Sequence, residues 1–370
     1  MKTVKKLLCL GLSLIMVVGV FAGCHKANEV AITFGSGSNK VEITSGYYLC
    51  ALIMSYQEAV QKVDSAKSEE KSSDTTSSAA TSSNSEEKTD YLKEKIDNKS
   101  FTKWVEDSAM EKLVNYAALQ HEIKANKVEL SDEQKSQVDQ YAKQYWTSYG
   151  YQDIYEKNGV SYDTFKKYMQ ASNEDYVYFE HLYGEDGEKA VKKSEVMKFI
   201  KEHFVAVDTA YYSLTDSDGN TVDSKTSDTY KKKLNNYADK LNAGKISFKK
   251  VYEAVNGKLQ DGSTYSTFVG DDKTDYSISE FSKIKKLKKH KAIVVESDSA
   301  ITLYYTQSIT DSSYDKLKDS VIYNLKHDEF EEELDKIGKE LKVDKNNYAL
   351  KRLKVKNIDT STDSNSTTAQ

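Results

Sequence analysis

The sequence predicts an α+β fold in which helices predominate and one mixed segment interrupts them. Between Ser45 and His203, apolar residues recur at helical spacing in one segment after another. The pattern changes over residues 204–214, a β-branched and aromatic run that predicts a strand. Two helices, a segment of strand character, a short helix and two more strands follow before a long helix begins at Ser313. We therefore expect a helical body with an inserted domain of β-α-α-α-β-β order.

The beginning of the helical body combines a short strand pair, a helix and a polar segment. Weak alternation over residues 30–44 predicts the strand pair, and Ser45 begins a helix that runs to about Val63. Residues 65–90 are Ser, Thr, Glu, Asp and Lys with almost no apolar side chains. Such a segment cannot bury enough surface to offset its ordering entropy, so we expect a disordered excursion there.

The end of the helical body depends on the C-terminal helix. The apolar stripe from Leu317 to Leu341 is too wide to stand alone in water, so we expect it to dock on the helices of 100–203. Ser131 and Gln134 fit a capping box at the start of one of those helices. Residues 348–355 predict a last strand. The expected organisation is a signal segment 1–23, a helical domain 24–203, the insert 204–310, a C-terminal helix and strand 311–355, and a disordered tail 356–370.

The first residues indicate the compartment. A lysine-rich start is followed by an apolar run from Leu7 to Phe21, which is short for a membrane span of about 20 residues. The run ends in Ala22, Gly23 and Cys24, which resembles the bacterial lipoprotein cleavage box, with Phe21 where that family prefers Leu. We expect Cys24 to carry a lipid that anchors the chain at the outer face of the cell membrane. A plain secretory signal and an uncleaved anchor are the alternatives.

Charge and cysteine content exclude several classes of function. The net charge of −5 offers no basic footprint for nucleic acid. With Cys9 in the signal segment and Cys24 lipidated, Cys50 has no disulfide partner, and we interpret it as a small core residue. The six histidines form no pair at metal-binding spacing, and Asp216, Asp218 and Gly219 do not fit an EF-hand loop. We therefore expect no metal and no cofactor.

Five short motifs follow one another over roughly residues 30–355. They are VEITSGY at 41–47, LSDE at 130–133, NGVSYDTF at 158–165, VKKSEVMKFIKEHF at 191–204 and LNAGKISF at 241–248. In this order they resemble the PrsA/SurA-type extracytoplasmic foldases, whose SurA-N-like helical chaperone domain carries a parvulin-like (PpiC-type) peptidyl-prolyl isomerase domain. The resemblance implies a foldase or holdase whose partners are unfolded or newly secreted polypeptides.

The insert departs from that family at its active site. Tyr211 stands where the first parvulin strand has a histidine, and Thr302 stands near the position of the second. The resemblance assigns the apolar substrate pocket to Phe268, Phe281 and Tyr304. The family's acidic or cysteine residue has no clear counterpart among Asp261, Asp271 and Asp272.

These departures leave the enzymatic activity open. Lowering an isomerisation barrier of about 20 kcal/mol needs a fixed polar network, and both of its histidines are replaced, so we expect weak or absent isomerase activity. An active isomerase with unusual residues is one alternative. A solute-binding lipoprotein is another, and it would show two α/β lobes.

Two further clusters have a structural and a functional interpretation. Aromatic residues around the third helix form either a client surface or part of the core: Tyr145, Trp146, Tyr149, Tyr151 and Tyr155. The basic run from Lys283 to Lys291 is either a solvated face or a contact for anionic lipid or wall polymer.

Overall fold

The computed structural model describes residues 27–73, 90–216 and 219–360, with only the backbone described over 69–73. The chain divides into two compact units, one of Tyr183–Asp328 and one of residues 27–182 with 329–360. Within the described ranges the fold is α+β and mostly helical, which confirms the predicted class. The signal segment, Cys24 and residues 361–370 lie outside the described residues. None of the helices that the structure describes is long and apolar enough to cross a membrane.

The larger unit, which we call the helical unit, contains two small sheets and six helices within its described residues. Strand β1 (Val30–Phe34) lies between β2 (Val41–Thr44) and β9 (Val343–Lys345), and both pairings are antiparallel. The two-residue strands β3 (Lys95–Ile96) and β4 (Lys99–Ser100) form a tight hairpin. These α-helices are α1 (Ser45–Ser73), α2 (Phe101–Asn126), α3 (Asp132–Ser148), α4 (Tyr151–Lys157), α5 (Tyr162–Tyr183), of which all but the last residue belongs to this unit, and α11 (Asn347–Leu350).

A local sequence signal explains how helix α3 begins. The Ser131 hydroxyl accepts the Gln134 N–H at 3.3 Å, and the Gln134 side chain accepts the Ser131 N–H at 2.8 Å, so the predicted capping box is confirmed.

Cys50 is fully buried in α1, and burial raises the pKa of its thiol well above the usual value. Its interpretation as an unreactive core residue is therefore confirmed.

Two expectations about this unit are wrong. Helix α1 continues to Ser73, so residues 65–73 are helical, while 74–89 lie outside the described residues. The Tyr91 hydroxyl donates to Asp64 at 3.0 Å and Lys67 bonds Glu94 at 2.7 Å, which gives the polar end of the helix partners further along the chain.

The second correction concerns residues 348–355, which form no strand. The Asn346 side chain accepts the N–H groups of Tyr348 and Ala349, and this N-cap starts the short helix α11 instead. The C-terminal segment does contribute a strand to the sheet, but it is β9, which pairs with β1 and precedes α11.

The last long helix, α10 (Asp311–Glu340), contributes to both units. In its second half, Phe330 packs its ring against Tyr178 and Phe179 of α5 at 6.0 and 5.4 Å between centroids. Gly338 lies so close to α2 that a Cβ there would come within 2.5 Å of Val114 Cγ1. The predicted docking of the C-terminal helix on the preceding helices is confirmed for this half.

The smaller unit, which we call the sheet unit, begins with the end of α5 and helix α6 (Lys193–His203) and is built on a four-stranded antiparallel sheet of order β6-β5-β8-β7. Its element order agrees with the expected insert, and the segment of strand character is a complete strand. The elements are β5 (Phe204–Ser213), α7 (Ser224–Asn242), α8 (Phe248–Asn256), β6 (Ser266–Gly270), α9 (Phe281–Lys285), β7 (Ala292–Glu296) and β8 (Ala300–Thr306).

The two faces of this sheet have different covers. One face packs on α7 and α8 through a large apolar cluster that includes Ala210, Leu234, Leu241, Val251, Ile301 and Leu303. The other face packs on α9 through a smaller cluster of Val207, Val269 and Ile284, with Phe281, Ile293 and Tyr304 partly buried beside it. We call these the α7 face and the α9 face. Because α9 has only five residues, part of the α9 face stays open.

Candidate functional site

The structure brings together Tyr211 and Thr302, the two residues predicted to stand in place of histidines. Tyr211 of β5 is paired directly with Thr302 of β8. Two residues along each strand, Thr209 of β5 is paired with Tyr304 of β8. Side chains opposite each other in an antiparallel pair lie on one face with Cβ atoms about 5 Å apart. Tyr304 packs into the cluster on the α9 face, so Tyr211 and Thr302 lie on that face too.

The predicted pocket residues divide between the two faces. Phe281, at the start of α9, packs in the same cluster as Tyr304. Phe268 is paired with Ala206, which lies between Val205 and Val207 on β5. Those two valines face α9, and side chains alternate along a strand, so Phe268 points to the α7 face. Its ring contacts Tyr276 at 6.4 Å. The structure thus assembles Tyr211, Thr302, Tyr304 and Phe281 on one face and leaves Phe268 on the other.

This group offers hydroxyls and an apolar wall. Tyr211 is 52% exposed, and the Asn256 side chain holds its backbone, accepting its N–H at 3.3 Å and donating to its carbonyl at 2.9 Å. Burial raises the pKa of Tyr304, and a hydrogen bond with the Thr302 side chain opposes that shift in part. The phenol of Tyr304 therefore stays neutral at physiological pH and can donate a hydrogen bond but not a charge.

The nearest His–Asp pair lies at the other end of β5. His203 Nδ1 and Asp271 Oδ2 are 2.7 Å apart, and the Asp271 N–H also donates to the His203 carbonyl. Tyr211 follows eight residues later, roughly 26 Å along an extended strand. The imidazole therefore cannot replace a histidine beside Tyr211. Sequence reasoning missed this pair, since its members are 68 residues apart and match no motif.

The basic run from Lys283 to Lys291 does not form one free patch. Lys285 donates to the carbonyls of Lys201 and Phe204 at the end of α6, and burial lowers the pKa of its ammonium. Lys283 pairs with Glu280 at 2.5 Å, and Lys291 donates to the Asn242 carbonyl at 3.0 Å. Lys285 and Lys291 therefore link separate elements of the sheet unit, whereas the Lys283 pair is local to α9.

The aromatic cluster of the helical unit separates into core and surface. Trp146 and Tyr155 are buried and pack around Phe165 at 5.2 and 4.8 Å, so for these two the core interpretation holds. Tyr151 stacks on Tyr155 and is half-buried.

A row of tyrosines remains at the surface along α3 and at its C-cap residue, Tyr149. Tyr141 and Tyr149 are 49% and 40% exposed, and Tyr145 lies half-buried between them, 5.2 Å from the Tyr149 ring. Burial and the two neighbouring phenols raise the pKa of Tyr145. Residues at i, i+4 and i+8 share one side of a helix, and we call this row the tyrosine stripe. The helical spacing of Tyr141 and Tyr145 was visible in the sequence, but their exposure was not.

A metal site has no support in the residues that the structure describes. Among them, no group of three His, Cys, Asp or Glu side chains is placed to hold an ion. Asp216, part of the calcium hint, accepts the Asn220 N–H at 2.8 Å in a turn bounded by a bridge between Thr215 and Thr221. Asp218 lies outside the described residues.

Among solved structures, the chain is similar to proteins of the PrsA type, the family that its motifs resemble. One is PrsA from Bacillus subtilis, at 14% identity and a TM-score of 0.32, covering 67% of this chain and 89% of that one. Another is the foldase protein PrsA from Streptococcus pneumoniae, at 15% identity and a TM-score of 0.37, covering 62% and 82%. No protein-family model and no curated protein matches the chain.

Proposed function

We propose that the chain is a membrane-anchored extracytoplasmic folding factor, a foldase or holdase that binds unfolded segments of secreted proteins. The observation that carries this proposal is the tyrosine stripe, three half-buried or exposed phenols along α3 and at its C-cap, where the remaining aromatic residue of the helix, Trp146, is buried. Tyrosine gives a large contact area with only two side-chain torsions to order, and its hydroxyl bonds to polar groups as well. Such a surface suits clients of mixed sequence.

Lipid attachment at Cys24 is part of this proposal. An anchor at the outer face would hold the helical unit where secreted chains emerge unfolded. The solute-binding alternative would show two lobes of alternating strands and helices, and the strands of the described residues pair antiparallel. That arrangement favours the folding factor over the solute-binding lipoprotein.

Removing the exposed phenols is expected to weaken client binding. Because well-placed interface aromatics commonly contribute more than 1 kcal/mol each, the double variant Tyr141→Ser/Tyr149→Ser should bind a denatured client about thirtyfold more weakly. Light scattering of an aggregating model client, with and without the chain, measures the loss. Tyr176→Ser is the matched control, since Tyr176 is 43% exposed in the same unit but outside the stripe. Equal protection by both variants would count against the proposal.

The second part of the proposal is that isomerase activity is weak or absent. Tyr211 and Thr302 offer hydroxyls at the two histidine positions, and Tyr304 stays neutral beside them. On short Xaa-Pro peptides we therefore expect little acceleration in a protease-coupled or NMR exchange assay. A robust rate enhancement that Tyr211→Phe abolishes would overturn this expectation and favour the active-isomerase alternative.

A further inference from the structure

Strand β7 is an edge of the four-stranded sheet, and the direction of its backbone groups can be determined. The Lys291 carbonyl accepts the Thr306 N–H at 3.0 Å, and the Ser297 N–H donates to the Ala300 carbonyl at 2.9 Å. The backbone N–H and carbonyl groups of the odd-numbered residues of β7 therefore point toward β8. Backbone groups alternate in direction along a strand. The N–H and carbonyl groups of Ala292, Val294 and Glu296 therefore point away from the sheet.

The first of these outward positions is already satisfied by a side-chain amide. The Asn242 side chain accepts the Ala292 N–H at 2.7 Å and donates to the Ala292 carbonyl at 3.1 Å. Asn256 does the same for Tyr211, where β5 extends beyond its neighbour β6. In both places a side-chain amide makes the two hydrogen bonds that a neighbouring strand would make.

Val294 and Glu296 have no such amide. Within the described part of the chain, no hydrogen bond reaches their outward backbone groups. Unpaired groups along a strand edge are a template for pairing with another chain, and natural sheets usually cover them. The open stretch of β7 is therefore a place where a strand can be added.

A cavity of about 260 Å³ lies over this stretch. Its walls come from both sides of the sheet: Lys231 and Asn235 of α7 on one side, and Glu280 and Lys283 on the other, with residues 293–296 as its floor. Two exposed ion pairs flank it, Lys231 with Glu296 at 2.6 Å and Lys283 with Glu280 at 2.5 Å. Exposed pairs of this kind contribute about 0–1 kcal/mol, so an incoming strand can displace them.

We infer that β7 binds an extended segment of an unfolded polypeptide as a fifth strand, with the backbone of Val294 at the centre of the contact. This inference rests on the proposed function and gives its clients a second binding surface. Backbone pairing is independent of client sequence, and walls with both charge signs accept mixed side chains. We take the occupant to be a bare strand rather than a second copy of the chain, because a cavity of about 260 Å³ accommodates only a few residues of a single extended chain.

The test uses the full chain and a fluorescent, end-capped seven-residue Ser/Val/Thr peptide as the probe. Val294→Pro removes the outward N–H without touching the ladder to β8, since proline is tolerated at such edge positions. We expect at least tenfold weaker binding by fluorescence anisotropy. Asp298→Pro is the control, because it places proline in the adjacent turn, away from the edge. Equal affinity of Val294→Pro and the control would overturn the inference.

A peptide-side experiment covers the case in which Val294→Pro does not fold. Two versions of the probe carry N-methyl groups on alternate residues, so that only one can still donate to β7. The inference requires that one version loses binding and the other keeps it, and that the bound probe slows amide hydrogen exchange at Val294 and Glu296. Equal binding of both versions, or a dimer of the chain that forms through β7 without peptide, would overturn it.

The same measurements separate this inference from the proposed function. If the chain slows client aggregation while exchange at Val294 and Glu296 is unchanged, the strand-addition site is wrong and the folding factor stands. If the chain neither binds the probe nor slows aggregation, the proposed function is wrong and the inference falls with it.

Discussion

Replacing Cys24 with alanine is expected to abolish lipid attachment and to leave the protein either released from the membrane or as an uncleaved precursor. A thioether-linked diacylglycerol holds a protein through many buried methylenes, each contributing about 0.8 kcal/mol. Incorporation of labelled fatty acid, electrophoretic mobility and fractionation together measure the effect.

The matched control for this prediction is Cys50→Ala. Cys50 is the cysteine that the structure describes, and it is fully buried in α1, so its thiol cannot carry a lipid. The control should keep the label, the processing and the membrane fraction of the parent. If the Cys24→Ala variant is processed and anchored like the parent, the lipoprotein hypothesis is wrong.

Signals that act over a few residues were predictable from the sequence. The Ser131 and Gln134 capping box needs only four residues, and it forms as expected. Helical periodicity likewise predicted the long C-terminal helix, since Phe330 and Leu334 repeat its apolar stripe and are buried. The same periodicity made the docking of that helix predictable, because a wide stripe has to be covered.

Competition between neighbouring signals explains what the sequence did not predict. Residues 348–355 alternate only at their end, over 353–355, and the cap by Asn346 starts a helix that takes up residues 347–350. Residues 65–73 have too few apolar side chains to predict a packed helix. They continue a helix that is already nucleated, and adding residues to an existing helix needs little further stabilisation.

Most of the candidate site depends on register, which a sequence does not display. The register of β5 with β8 places Tyr211 opposite Thr302. The register of β5 with β6 pairs Phe268 with Ala206, so the Phe268 side chain points to the other face of the sheet. The amide caps from Asn242 and Asn256 have no sequence signature, because an asparagine at a helix end ordinarily indicates a turn. Physical proximity alone gives these residues their roles.

Removing most of the sheet unit is expected to leave the aggregation-suppressing activity largely intact. The variant replaces residues 205–310 with a short Gly/Ser linker. The Gln307 N–H donates to the Ala206 carbonyl at 2.7 Å, so the two ends of the deleted segment lie side by side and a short linker can join them. The helical unit keeps its own buried core, including the contacts of Phe330 and Gly338 with α5 and α2.

Circular dichroism and light scattering against a denatured model client check this prediction. The deletion variant should remain helical and should keep most of the parent's protection, because the tyrosine stripe is retained. The fraction that is lost measures the share contributed by the deleted part of the sheet unit. Adding Tyr141→Ser and Tyr149→Ser to the deletion variant should then remove most of what remains. A variant that stays helical but protects nothing would show that the client surface lies in the sheet unit, and the tyrosine stripe would be only a solvated aromatic row.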